Sequence, residues 1–188
     1  ELAIGHGYED LGVDVPKAPM NALPRPDDHL RRRIRTSMQG MGFMQVQSLT
    51  LSNDDDQFNR MRWKPFNAIT RITNPITQDH TMMRHFLLPG LLRLLSSNRH
   101  HDLPQSVYEL GTVVRDHVNS DRLAFITAER VGGFAAIRGR IQAFLRDLGA
   151  ENIVIEALPD NEGPWLAGRA ARVLLNGEWV GCFGEIDP

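Results

Sequence analysis

RITNPITQDHTMMRHFLLPGLLRLLSSNRHHDLPQSVYELGTVV, residues Arg71 to Val114, holds a strand end, a helix and a second strand in one run. Asn74-Pro75 closes a short strand expected over 68–73, because the residue before proline is pushed away from helical geometry. Leu87 to Asn98 predicts a helix. Pro89 suits its first turn, where a missing N–H costs nothing. Leu88, Leu91, Leu92 and Leu95 form one helical face. Ser106 to Val114 then reads as a strand.

Downstream, Arg122 to Ala128 is a further strand in which Leu123, Phe125 and Thr127 alternate with Ala124 and Ile126. Phe134 to Leu148 is the clearest helix, with Ile137, Ile141, Phe144, Leu145 and Leu148 on one side and Gly149 as its stop. Asn152 to Leu158 is another strand. Arg172-Val-Leu-Leu, Asn176-Gly177 and Glu178-Trp-Val-Gly predict a hairpin, because both turn positions need positive φ.

Upstream, the prolines between residues 9 and 28 predict an extended connector. A helix begins near Asp27 or Asp28, where a carboxylate meets the first free N–H groups. Leu30, Ile34, Met38 and Met41 make one stripe, with Arg31, Arg32, Arg33 and Arg35 between them. Gly40 and Gly42 stop it, 43–51 reads as a strand and 53–64 as a loop. Helices interleaved with hairpin strands give an α+β fold, an antiparallel β-sheet flanked by helices. The division expected is a connector over residues 1–26 and a core domain over 27–188.

The composition is that of an ordinary globular chain: 188 residues, 41% apolar, 23% charged and a net charge of −2. That balance gives no global electrostatic case for nucleic acid or a membrane surface. No apolar run approaches the roughly 20 residues that span a bilayer, so no membrane partner is expected. Cys182 is the single cysteine, which excludes an internal disulfide and predicts a reducing, cytoplasmic setting. The opening residues do not form a signal peptide, and the missing initiator Met suggests a piece of a longer polypeptide.

No catalytic constellation emerges. Gly5-His6-Gly7-Tyr8 fits neither dinucleotide nor Walker spacing and reads as a tight turn. Seven histidines include the adjacent His100-His101, but no H-E-x-x-H or Cys/His cluster. No serine sits in a nucleophile elbow. Cys182, in an alternating strand beside Val180 and Phe183, is expected as a buried small apolar residue. Glu109, Glu129 and Glu185 have no partner at a spacing that calls for acid–base work. The arginines near Arg31 could contact phosphates and leave open an RNA-binding reading, although stacking aromatics are absent nearby.

The run Arg71–Val114 resembles the beta subunit of phenylalanyl-tRNA synthetase of the archaeal and eukaryotic type. It shares Thr73-Asn74-Pro75, Thr81-Met82-Met83-Arg84, the Leu87–Leu92 helix, the Asn98–Pro104 turn and Tyr108-Glu109-Leu110-Gly111 in that order. Ala3-Ile4-Gly5-His6-Gly7-Tyr8, Gly168-Arg169-Ala170-Ala171 and Gly181 to Pro188 are similar to further family segments, with His6 departing from the usual Tyr.

The resemblance implies a class II aminoacyl-tRNA synthetase catalytic-like fold that has lost its own site. Such a site needs an arginine followed two residues later by glutamate; Arg84 is followed by His85 and Phe86. It also needs a glycine-rich strand entering a helix through Glu-Arg; Glu129-Arg130 precedes Gly132 and Gly133. The implied role is a non-catalytic module packed on a catalytic alpha subunit, in an (αβ)2 enzyme that charges tRNA with phenylalanine using ATP. The subunit interface implied is Leu30, Ile34, Met38 and Met41, with the stripe's own sheet as the competing neighbour. The family's magnesium site ends in an acidic pair that Glu1 partly matches. One carboxylate cannot hold that cation, so no cofactor is expected on this chain.

Overall fold

Asp28 sets the start of the first long helix by accepting the Arg25 backbone N–H at 3.0 Å. The computed structural model describes residues 2–10, 12, 23–159 and 162–188. A short helix α1 (Leu2–His6) and a turn at Tyr8–Asp10 come first. Gly7, at φ +93°, supplies the turn expected there. Residues 11 and 13–22 of the expected connector, and Glu1, lie outside the described residues.

Helix α2 (Pro26–Gly40) takes proline at its first position and ends as Phe43 N–H bonds Met38 O at 3.0 Å. The chain then runs through β1 (Met44–Gln45), β2 (Leu51–Ser52), β3 (Met82–Met83), α3 (Leu88–Ser97) and the long pair β4 (Gln105–Arg115) and β5 (Val118–Ala128). Helix α4 (Phe134–Asp147), β6 (Ile153–Ala157), β7 (Trp165–Leu175) and β8 (Glu178–Ile186) complete it.

The strands form sheets β1-β4-β5, β2-β3 and β6-β7-β8. All pairings are antiparallel except β1 with β4, which is parallel. β4 and β5 pair without a slip from Gln105↔Ala128 to Arg115↔Val118. They turn on Asp116 and His117, both at positive φ. The Asn176-Gly177 turn joins β7 to β8 as its sequence predicts.

Two cores share one helix. Met38, Phe43, Tyr108, Leu110 and Phe144 pack together, with Leu145 at their margin. Ala171, Val173 and Phe183 form the second group, and Leu145 again packs against it. α4 therefore bridges the β1-β4-β5 and β6-β7-β8 sheets. Among the described residues no helix is long and apolar enough to cross a membrane.

Three local expectations are revised. The strand expected over 43–51 breaks into β1 and β2, because Ser48 leaves the ladder and turns its N–H and hydroxyl toward Glu109. The strand expected over 68–73 reduces to a single bridge, Arg71↔Met82. Ala68 gives its N–H to the Asp116 carboxylate instead. The polar run 53–64 holds a helical turn at Asp55–Asn59, closed by the Arg60 N–H on Asp55 O at 3.0 Å. It delivers Phe58 and Met61 into the interior at 1% and 3% exposure.

Candidate functional site

Arg84 leaves β3 and Glu109 stands midway along β4. Their side chains meet in the interior, Nη1 to Oε1, at 2.6 Å. They are 4% and 1% exposed. Arg84 Nε also donates to Thr112 O at 2.8 Å and Nη1 to Ser48 Oγ at 2.9 Å, while Ser48 Oγ donates to Glu109 Oε2 at 2.6 Å. A buried pair survives only when its remaining donors and acceptors are satisfied in this way. Two glycines leave the room. A Cβ on Gly111 would stand 2.5 Å from Arg84 Nη2, and one on Gly90 would stand 2.7 Å from Ser48 Oγ. The sequence motifs around Arg84, Gly90, Glu109 and Gly111 are thus parts of one buried lock.

The arginine that ends a long antiparallel strand is Arg115, at the tip of β4, rather than Arg84. Two residues on stands His117, so this strand end also lacks the Arg-x-Glu arrangement. The Arg115 guanidinium lies over the Phe66 ring at 5.1 Å and the Phe86 ring at 4.8 Å. It donates through Nε and Nη2 to His85 O at 3.1 and 3.0 Å. Burial, then the neighbouring Arg122 charge, lowers its pKa. The hairpin tip is pinned by Asn67 Nδ2 on Asp116 Oδ2 and by Thr70 against His117 Nδ1.

His85 is fully enclosed. Its Nε2 faces Phe66 O at 3.2 Å, whereas Nδ1 has no partner. Burial lowers its pKa, so the neutral ring is the native form. Gln57, also buried, accepts the His85 and Phe86 backbone N–H groups at 2.9 and 2.8 Å.

The remaining glutamates are structural. Glu129 binds Arg140 through both oxygens, at 3.2 and 3.0 Å. Glu185 accepts the Phe134 N–H at 2.5 Å, which caps α4 from a neighbouring strand. It also takes Arg169 at 2.9 and 3.0 Å. The Arg169 bond is the main reason its carboxyl lies below the ordinary range.

The proposed interface stripe is divided by the fold. Met38 is fully buried, and Ile34 and Met41 pack against the same core, so these residues face their own sheet. Leu30 is 52% exposed. Arg31 pairs with Asp121 at 3.0 Å, and Arg33 donates to Asp147 O at 3.2 Å. Cys182 is exposed on β8, because it faces away from Phe183 and α4, which corrects the buried reading. Solvent reaches the residue, yet desolvation around the sulfur and then Glu162 push the thiol up to about 11.

The His100 and His101 rings pack against each other at a tilt on the surface. An open cleft of about 680 Å³ is lined by Asp54, Asp55, Asp56 and Asp79, facing Arg60, Arg71 and Arg93. Asp54, Asp55 and Asp56 are already paired there. Among the described residues no three His, Cys, Asp or Glu side chains could hold a metal ion together.

Sequence reading missed that Arg84 and Glu109 meet, since they are 25 residues apart and neither carries a local partner signal. It also missed the Arg115 cage. Its only trace was an arginine ending an alternating run, with two separated aromatic positions, Phe66 and Phe86, upstream.

The chain matches the family described as "Phenylalanyl tRNA synthetase beta chain CLM domain" over residues 12–188. It is 36% identical over 188 residues to the phenylalanine–tRNA ligase beta subunit of Methanothrix thermoacetophila, covering 100% of this chain and 34% of that protein. It is 34% identical over 190 residues to the beta subunit of Archaeoglobus fulgidus, with the same coverage. The chain thus spans about a third of the length of these relatives. Its fold is shared with a Desulfitobacterium hafniense pyrrolysyl-tRNA synthetase at a TM-score of 0.63 and 14% identity, over 82% of this chain and 54% of that one.

Proposed function

The chain belongs to the CLM-domain family of the phenylalanyl-tRNA synthetase beta chain, and from that premise we propose that it is the non-catalytic core module of a phenylalanine–tRNA ligase. The module has a class II type of sheet and packs against a catalytic alpha subunit in a cytoplasmic (αβ)2 enzyme. That enzyme charges tRNA with phenylalanine at the expense of ATP.

The observation that carries this reading is the fate of the two arginines nearest to a class II role. Arg84 is neutralised by Glu109 in the interior, and Arg115 lies over the rings of Phe66 and Phe86 and donates to His85 O. Neither guanidinium is free to hold a phosphate. The residues therefore do not fit ATP, and no group of described residues fits magnesium.

With both arginines occupied, the contribution left to this chain is surface. Leu30 on α2, and Met44 and Leu49 on the segment that follows it, are apolar residues exposed by 52%, 69% and 68%. β1 pairs only with β4, so its outer edge is unpaired among the described residues. An edge with exposed apolar side chains fits a subunit contact.

Two measurements test the proposal. ATP–pyrophosphate exchange by the chain alone is expected to be zero, and phenylalanine-dependent turnover would overturn it. Co-expression with the alpha subunit is expected to give a stable complex that Leu30→Asp or Leu49→Asp weakens in a folded variant. Failure of the unsubstituted chain to capture alpha would overturn the assembly role.

A further inference from the structure

Beside the Arg84–Glu109 pair lies a pocket of about 270 Å³, bounded by residues of β2, the helical turn at Asp55–Asn59 and the first turn of α3. Leu49, Leu51, Phe86 and Pro89 give it apolar walls. Its polar groups are unevenly engaged. Gln57, 2% exposed, has its one acceptor oxygen taken by the His85 and Phe86 N–H groups. Its amide donates to Ser52 Oγ at 3.2 Å. One Gln57 amide hydrogen and the Ser52 hydroxyl hydrogen are then left without an acceptor among the described residues. Arg84, 4% exposed, makes its bonds through Nε and Nη1, and Nη2 makes none among the described residues.

The start of α3 adds a further donor. The helix has no side-chain cap and no acid in its first turn. Pro89 carries no N–H, whereas the Gly90 N–H finds no acceptor among the described residues. Gly90 brings this turn against Ser48, since a Cβ there would stand 2.7 Å from Ser48 Oγ. An uncapped helix start of this kind favours a negative group.

Acceptors are scarce by comparison. Ser48 Oγ already meets Arg84 and Glu109. Asp56 is the one carboxylate lining the pocket, held by Arg93 at 3.0 Å and Arg60 at 3.5 Å. The His80 ring gives or takes one bond according to its tautomer. A surplus of donors calls for an acceptor-rich ligand. Arg84 and Arg93 are each balanced by a carboxylate, so a phosphate dianion meets no net positive charge here. A single carboxylate matches the free N–H and O–H groups, and the apolar walls call for an apolar body beside it.

We propose that this pocket binds a small monocarboxylate with a compact apolar body. The Gly90 N–H, the Ser52 hydroxyl and Arg84 Nη2 receive the carboxylate, and Leu51, Phe86 and Pro89 receive the apolar part. The volume lies at the small end for ligand pockets and suits roughly eight to ten heavy atoms. A free amino acid and a simple aliphatic acid share this chemistry. Because Arg93 holds Asp56, an ammonium group has no free partner, which favours the simple acid. The proposal is independent of the assembly role.

The test is nuclear magnetic resonance of this chain, titrated with 4-methylpentanoate, with its 2-amino derivative leucine, with 4-methylpentan-1-ol and with inorganic phosphate, and read at the Gly90 amide. 4-Methylpentanoate is expected to shift that amide saturably, with a dissociation constant on the order of 1 mM. The alcohol keeps the body without the charge and is expected to bind at least about tenfold more weakly. Ser52→Ala is expected to weaken 4-methylpentanoate by about tenfold. Arg93→Gln frees the Asp56 charge and is expected to weaken it by a similar factor, with circular dichroism verifying that both variants fold.

Leucine binding more tightly than 4-methylpentanoate would uphold the site and make an amino acid its source; equal or weaker binding would uphold it with a simple acid. The proposal is overturned if neither carboxylate shifts Gly90 saturably, if the alcohol binds as tightly, or if phosphate binds more tightly. Undiminished binding by both folded variants overturns it as well.

Discussion

Arg84 and Glu109 lie 2.6 Å apart in a site that solvent scarcely reaches, and Gly111 leaves the space their side chains fill. Breaking such a pair leaves a bare charge in the interior, which costs more than the pair itself contributes. Glu109→Gln keeps the shape and strands the guanidinium. Urea unfolding is expected to show a loss of about 3–5 kcal/mol. The double variant Arg84→Met/Glu109→Leu should be markedly less destabilised than Glu109→Gln. Equal loss in both would mean that packing, not charge, holds this site.

His85 gives the fold a pH dependence with a definite sign. Its pKa is lowered in the folded chain because the ring is buried. The unfolded chain therefore takes up a proton first as pH falls. The contribution is fully present above about pH 6.5 and declines as pH drops from there through the lowered folded value, at up to about 1.4 kcal/mol per pH unit. Denaturant midpoints measured from pH 8 to pH 5 should show this decline, and His85→Phe should remove its share of it. An unchanged pH profile in the variant would rule out His85 as the source.

Glu185 adds a carboxylate pH dependence of its own. Its carboxyl is held below the ordinary range, first by the Arg169 bond. Its share of stability is present above the unfolded carboxylate pKa and is lost as pH falls through the folded one. Glu185→Ala should lower the melting temperature at neutral pH and speed hydrogen exchange at the start of α4, since Phe134 loses its acceptor. Protection in β4, by contrast, should be unaltered.

Cys182 is reachable by solvent yet has its thiol pushed up to about 11. Thiolate is the reacting form, so alkylation at pH 7 should be slow and should rise steeply above pH 9. Rapid labelling at neutral pH would contradict the raised value. Glu162→Gln should shift the rate profile toward lower pH, because that carboxylate is the smaller of the two causes.

The sequence was legible wherever one segment could settle its own structure. α2, α3 and α4 follow from apolar spacing with a stop at each end, and the β7–β8 hairpin follows from Asn176-Gly177. It was not legible where distant segments compete for the same backbone. Ser48 abandons a strand for Glu109, and Ala68 abandons one for Asp116. The burial of Phe58 and Met61 was masked by the polar residues that flank them, Gln57, Asn59, Arg60 and Arg62. The Asp116-His117 turn carries no glycine to announce its positive φ. At the candidate site, the family motifs were visible but their reason was not. Arg84, Gly90, Glu109 and Gly111 are spread over 28 residues and become one unit only when β3, α3 and β4 converge on Ser48.

Helix α4 is fastened at both ends and along its length. Glu185 of β8 holds its first residue, Asp147 at its last turn receives Arg33 of α2, and Leu145 touches both cores. A beam clamped in this manner cannot tilt toward one sheet without loading the other. Force applied to its outer surface would be shared between the two sheets rather than absorbed locally. The two sheets should thus respond to a load on that helix as one rigid frame.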